Sequence, residues 1–170
     1  MKYIFAALFL LPLGVLAQDC PLKKQIDKFS NQPKITTGFF PMSNGIDRIL
    51  VSIEATATEI DYLFALAKGE EQKCYDDAST AQVSYDGTRY KTTYRNSGSM
   101  NCEGLFHFNF RNTATPASNL KRLATTKVAS IVFTGNDKSV TEVKLTEEDK
   151  VRLMDLTNCI INEAKTLQAK

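Results

Sequence analysis

Residues 59–67, Glu59-Ile60-Asp61-Tyr62-Leu63-Phe64-Ala65-Leu66-Ala67, decide between two folds. Read with a helical period, Ile60, Leu63, Phe64 and Ala67 form one stripe, and the alanines favour helix. Read with period two, Ile60, Tyr62, Phe64 and Leu66 face one way, and Glu59, Asp61, Leu63, Ala65 and Ala67 face the other. Only the second reading gathers the aromatic and β-branched side chains on one face, so the segment is expected to be a strand.

The neighbouring segments agree with it. In residues 48–55, Ile49, Val51, Ile53 and Ala55 alternate with Arg48, Ser52 and Glu54, with Leu50 the exception. Residues 34–40 are β-like, and Pro41-Met42-Ser43-Asn44-Gly45 signals a turn. Residues 18–33 are polar and read as a short helix or an irregular lead-in. Downstream of the deciding stretch, residues 68–79 form a polar loop. Residues 80–86 and 89–95 then flank Asp86-Gly87, a strong hairpin signal. A Ser/Gly/Asn-rich turn at 96–101 leads into a strand over 104–110. Phe106, Phe108 and Phe110 make one of its faces and Leu105, His107 and Asn109 the other. Residues 116–124 read as a short helix with Leu120 and Leu123 inward, and 127–134 and 139–145 as strands about Gly135-Asn136-Asp137.

The last element is the clearest helix. Thr146 is a good N-cap, and Thr146-Glu147-Glu148-Asp149 resembles a capping box with Asp in the Glu position. The three acids favour the helix dipole, and Leu153, Leu156, Ile160, Ala164 and Leu167 form an apolar stripe that needs a partner. The expected fold is α+β: an antiparallel, hairpin-connected sheet of about seven strands, with the C-terminal amphipathic helix on one face. The alternative is a lipocalin-like β-barrel with a flanking helix.

Residues 1–17 read as a cleavable signal peptide. Met1-Lys2 is a short basic start, residues 3–16 carry no charge, and Val15-Leu16-Ala17 sets cleavage after Ala17. The run is shorter than the roughly 20 apolar residues of a membrane span. Gln18-Asp19 stands before Cys20 where a lipidation signal needs small residues. Residues 18–170 then form a single exported domain of ordinary size. Its formal charge, +2 before the loss of Lys2, is too low for a nucleic-acid footprint. No Asn-x-Ser/Thr sequon occurs, which tilts the source toward bacteria and the compartment toward the periplasm or the outside of the cell.

The four cysteines, Cys20, Cys74, Cys102 and Cys159, read as two disulfides in an exported chain. They lack the close spacing of a zinc or redox site. Three pairings are open. Topology favours Cys102 with Cys159, which would clamp the last helix to the sheet, leaving Cys20 with Cys74.

Little of the sequence points to catalysis. His107 is the only histidine, so no multi-histidine metal site exists, and it reads as a surface residue on a sheet face. No Gly-x-Ser-x-Gly elbow presents a serine to it. Glu70-Glu71 and Asp76-Asp77 read as a solvated loop; Asp76, Asp77 and Ser79 lack the spacing of an EF-hand calcium loop. No glycine cluster cradles a phosphate, and no cofactor motif is present. Lys121-Arg122, with Arg111 and Lys127, reads as a solvated basic face. Tyr85, Tyr90 and Tyr94 surround the Asp-Gly hairpin, where they would serve either cross-strand packing or an exposed interaction face.

Asn101-Cys102-Glu103-Gly104 before an aromatic strand, then residues 127–132, then a helix carrying Asn158-Cys159, resembles small uncharacterised exported domains of Bacteroidetes-type bacteria. The likeness covers residues 80–162. It implies a periplasmic or secreted protein with a Cys102–Cys159 link, and no activity. Lipocalins share the length, leader, β-meander, late helix and disulfide, but their Gly-x-Trp signature is missing because the chain has no tryptophan. The expected function is non-enzymatic binding of a protein, a glycan or an envelope component through a sheet face or hairpin. The alternatives are a small-ligand carrier whose barrel interior holds an apolar cavity of about 300–1,000 Å³ and a hydrolase with acidic or nucleophilic groups converging in a cleft.

Overall fold

The computed structural model describes residues 20–28, 30–42, 48–66 and 73–168. The signal segment, the cleavage point after Ala17, Ser43-Asn44-Gly45 and Glu70-Glu71 lie outside the described residues.

The deciding stretch is a strand, β5 (Glu59–Leu66), with Ile60, Tyr62, Phe64 and Leu66 buried. It lies between β4 (Ile49–Ala55) and β8 (Leu105–Arg111), antiparallel to both. The register aligns Ile53–Tyr62–Phe108 and Val51–Phe64–Phe106 as rows across one face, and all six side chains are buried. The other edge of β4 carries two short strands in succession, β2 (Pro33–Thr36) and β3 (Phe40–Met42). Between them the chain bulges at Gly38, whose φ of 65° suits glycine. Thr37 holds the bulge to β4: its backbone N–H donates to the Ile53 carbonyl at 3.0 Å, and its hydroxyl accepts from the Ile53 N–H at 3.0 Å.

Residues 18–33 do not form the expected helix or irregular lead-in. The described part makes β1 (Lys23–Ile26), a hairpin partner of β2. The Asp27 carboxylate shapes the turn by accepting from the Ser30 N–H at 2.8 Å and the Ser30 hydroxyl at 3.1 Å.

The second sheet has the order β10 (Val140–Lys144), β9 (Val128–Thr134), β6 (Thr80–Tyr85), β7 (Lys91–Arg95), all antiparallel. β6 and β7 are the expected hairpin, and Gly87 in its turn has a φ of 67°. Aromatic rings join the two sheets: Tyr94 stacks on Phe108 with centroids 4.3 Å apart, and Phe133 meets the edges of Phe64 and Phe106 at 5.3 and 5.2 Å. Such pairs contribute about 0.5–1.5 kcal/mol each beyond area burial. The α+β architecture is as expected, but its strands fall into sheets of six and four rather than one of about seven. Among the described residues neither sheet closes on itself, so the lipocalin-like barrel is not formed. Phe106 and Phe108 occupy the space between the sheets.

The C-terminal helix, α2 (Glu147–Gln168), packs on β2, β4, β5 and β9 and against α1 (Ser118–Thr125). Its cap is a variant of the expected box. The Asp149 N–H donates to the Thr146 hydroxyl at 3.2 Å, which donates to the Asp149 carboxylate at 2.8 Å. Leu153, Leu156, Ile160 and Ala164 form its buried stripe. Two polar residues fix its position. Tyr62 donates its hydroxyl to Thr157 at 2.8 Å, and the Asn112 amide donates to the Thr56 and Ala164 carbonyls at 2.8 and 3.1 Å.

Both disulfides exist, but the expected partners are wrong: the bonds are Cys20–Cys159 and Cys74–Cys102. Tyr75 and Asn101 exchange backbone hydrogen bonds of 2.8 and 2.9 Å in an antiparallel bridge. That bridge sets Cys74 opposite Cys102, one residue along. Cys20 leads into the β1–β2 hairpin, and α2 lies on β2, which brings Cys159 to the N-terminal side. The Cys102–Cys159 link implied by the Bacteroidetes resemblance is therefore corrected as well.

Candidate functional site

Alternation along β5 and β8 turns Asp61, Leu63, Leu105 and His107 away from the core, onto the face that neither α2 nor the second sheet packs against. The 96–104 connection folds over part of this face and leaves a groove of about 490 Å³. Its polar walls include Glu54, Asp61, Asn96, Asn101 and His107, and Leu63 and Leu105 give it an apolar floor.

The connection is tied down at several points. The Asn96 side-chain oxygen Oδ1 accepts from the His107 N–H at 2.9 Å, and its side-chain amide donates to the Gly98 carbonyl at 3.2 Å. The Asn101 side chain accepts from the Leu105 N–H at 3.1 Å and donates to the Leu105 carbonyl at 2.9 Å. The Cys74–Cys102 bond and the Tyr75–Asn101 bridge fix its far end. Gly104 has a φ of 75°, and a Cβ there would lie 2.9 Å from the Leu66 carbonyl oxygen. Only glycine fits so close to β5.

His107 is not the isolated surface histidine the sequence implies. Its Nε2 lies 3.1 Å from Asp61 Oδ1, and its Nδ1 lies 3.2 Å from the Ser97 hydroxyl. A carboxylate can only accept, so in the neutral ring Nε2 carries the proton and Nδ1 accepts from Ser97. Hydroxyl, imidazole and carboxylate thus form a chain in the order of a serine-hydrolase triad. The hydroxyl is not presented as a nucleophile, however. It is shared with the His107 carbonyl at 3.2 Å, and Ser97 is not among the residues that line the groove. The arrangement holds the imidazole still, with Asp61 on the wall of the groove.

Glu54 is engaged on its own side. Lys34 donates to it at 2.8 Å and the Thr36 hydroxyl at 3.1 Å. The Glu54 carboxylate, aided by Asp27, holds the Lys34 ammonium above its ordinary pKa.

The other residues singled out from the sequence lie elsewhere. Asp76 closes its own turn, accepting from the Ala78 and Ser79 N–H groups and the Ser79 hydroxyl at 2.9–3.0 Å. The Ser79 hydroxyl and those amides hold its carboxyl below the usual range. Tyr85, Tyr90 and Tyr94 do not make one exposed face. Tyr85 and Tyr94 are buried, whereas Tyr90 is 45% exposed. The Tyr85 and Tyr94 hydroxyls lie near each other without full hydrogen-bond geometry, and burial raises the Tyr94 pKa. A separate apolar groove of about 640 Å³ runs between α2 and the bulge at 37–39, where Phe39, Phe40, Val151 and Leu156 line it and Arg152 stacks on Phe40 at 4.7 Å.

The chain matches no known protein family, no curated protein and no solved structure.

Proposed function

We propose that this is an exported, non-enzymatic binding domain of a bacterial envelope or secreted fraction, and that it holds a glycan in the groove over β5 and β8. The observation that carries this reading is the locked 96–104 connection. Two asparagine side chains, a disulfide and a positive-φ glycine hold the groove in shape before any ligand arrives. Pre-organisation of this kind lowers the ordering cost of binding. Carboxylates and amides supply the acceptors and donors that a hydroxyl-rich ligand needs, and Leu63 and Leu105 can meet the C–H face of a sugar ring. Two disulfides suit an oxidising compartment.

A glycan array probed with the purified protein and with Asp61→Ala tests the reading. Retention on at least one oligosaccharide class, lost in the variant, is expected. Equal signals for the two proteins on every glycan would refute it. Release of reducing ends from a retained glycan would make the protein a hydrolase instead.

A second reading, a carrier of small apolar molecules, draws support from the 640 Å³ groove beside Phe39, which is 56% exposed. It predicts saturable binding of 1-aminoanthracene that Phe39→Ala weakens.

A further inference from the structure

Two features that the glycan groove does not use, the Lys121-Arg122 pair and the tyrosine hairpin, meet on the other side of the molecule. A cavity of about 350 Å³ lies between α1 and the β6–β7 hairpin. Lys121 and Arg122 line it together with Ser118, Thr125 and Thr88, and no carboxylate does so among the described residues. The Arg122 guanidinium stacks over the Tyr90 ring, 3.6 Å from its centroid, and lies 5.9 Å from the centroid of Tyr85. Stacking fixes the plane of the guanidinium and leaves its N–H edge for an acceptor.

Two carboxylates on the neighbouring elements are already engaged. Lys150 holds Asp86 of the hairpin turn at 3.2 Å and Glu147 at 2.6 Å, and Lys127 reaches Glu147 at 3.4 Å. Lys121 and Arg122 thus place two positive charges on the cavity wall beside the Ser118 and Thr88 hydroxyls, while the Thr125 hydroxyl is already donated to the Lys121 carbonyl at 2.9 Å. A planar guanidinium, an ammonium and neighbouring hydroxyls are the donors that a tetrahedral oxyanion accepts from.

We propose that this cavity binds a tetrahedral oxyanion, the phosphate or sulfate group of a small ligand, with Arg122 as the oriented donor and Lys121 as the second charge. The site is independent of the glycan groove, and Tyr90 acts as a positioning residue.

The test is a ¹H–¹⁵N shift titration of the purified protein with inorganic phosphate and, separately, sodium sulfate, against sodium chloride at matched ionic strength. Saturable shifts confined to residues 118–126 and 88–90 are expected with phosphate, sulfate or both; which anion binds tighter identifies the group. Arg122→Gln should weaken binding at least tenfold. The exposed Lys121→Gln, which leaves the stack intact, should weaken it severalfold. Tyr90→Leu should weaken it while retaining both charges. Shifts that track chloride, or unchanged affinity in Arg122→Gln and Lys121→Gln, would overturn the proposal and leave a solvated basic face.

Discussion

The inner and outer faces of β5 and β8 are built from alternate residues of the same two strands, yet they are held together in different ways. Inside, Tyr62, Phe64, Phe106 and Phe108 pack by shape, and each ring lies within 6.5 Å of another. Outside, Asp61 and His107 are placed by directional bonds to each other and to the 96–104 connection. The inner face needs only the right period and volume. The outer face needs a loop from elsewhere in the chain to arrive in one conformation. Stability should therefore reside mainly in the first and selectivity in the second.

The sharpest way to break that division is Phe106→Ala. Phe106 is fully buried against Tyr75 and Phe133. Its truncation should cost about 3–5 kcal/mol in urea unfolding. Glycan affinity of the fraction that remains folded should be unchanged.

Removing the loop clamp should affect both faces. Cys74 and Cys102 are 28 residues apart. In the loop-entropy model, Cys74→Ala/Cys102→Ala costs roughly 3–4 kcal/mol. It should also weaken ligand binding, because the groove loses its fixed wall. Unchanged binding in the double variant would show that the groove keeps its shape without the disulfide.

Alkali should act mainly on the inner face, with a smaller loss from the Lys34–Glu54 pair at the edge of the groove. Burial pushes the Tyr75 hydroxyl up to about 12 and raises Tyr62 and Tyr94 as well. A raised folded-state pKa means that these groups stabilise fully below the unfolded value of about 10 and that this contribution is lost as pH rises through the folded value. Thermal unfolding should show a flat stability below about pH 9 and a fall above pH 10, of roughly 2 kcal/mol by pH 12 from Tyr75 alone.

The smallest effect on stability belongs to the outer face. His107→Gln should change it by less than about 1 kcal/mol, since the pair with Asp61 is partly solvated. Ligand affinity should nevertheless drop, and a calorimetric titration on the array-selected glycan reads that directly.

The same division explains what could be read in advance. The inward rows of β4, β5 and β8, the Asp86-Gly87 hairpin and the Thr146 cap follow from period, turn chemistry and capping, all of which are local. The groove was not legible. Nothing near Ser97 marks it as a partner of His107, and Asp61 looks like any outward residue of an alternating strand. Asp61 and His107 meet as diagonal neighbours only once Leu63 is paired with His107 across the sheet. The cysteine partners were hidden for the same reason. The Tyr75–Asn101 bridge that aligns Cys74 with Cys102 joins two connecting segments that have no strand pattern. Asn112, which ties the 56–58 turn to α2, likewise gives no sign in sequence of its two carbonyl partners.

The Cys20–Cys159 bond has a mechanical consequence. It joins the start of the described chain to the last helix across 139 residues, so both sheets and α1 lie inside one covalent ring. Tension applied between the two chain ends would run through that bond and bypass the strands. A pull of this kind would extend the segments outside the ring and leave the residues between Cys20 and Cys159 unstretched. Both grooves would keep their shape under load, until a reductant opened the ring and let the same pull unravel the sheets.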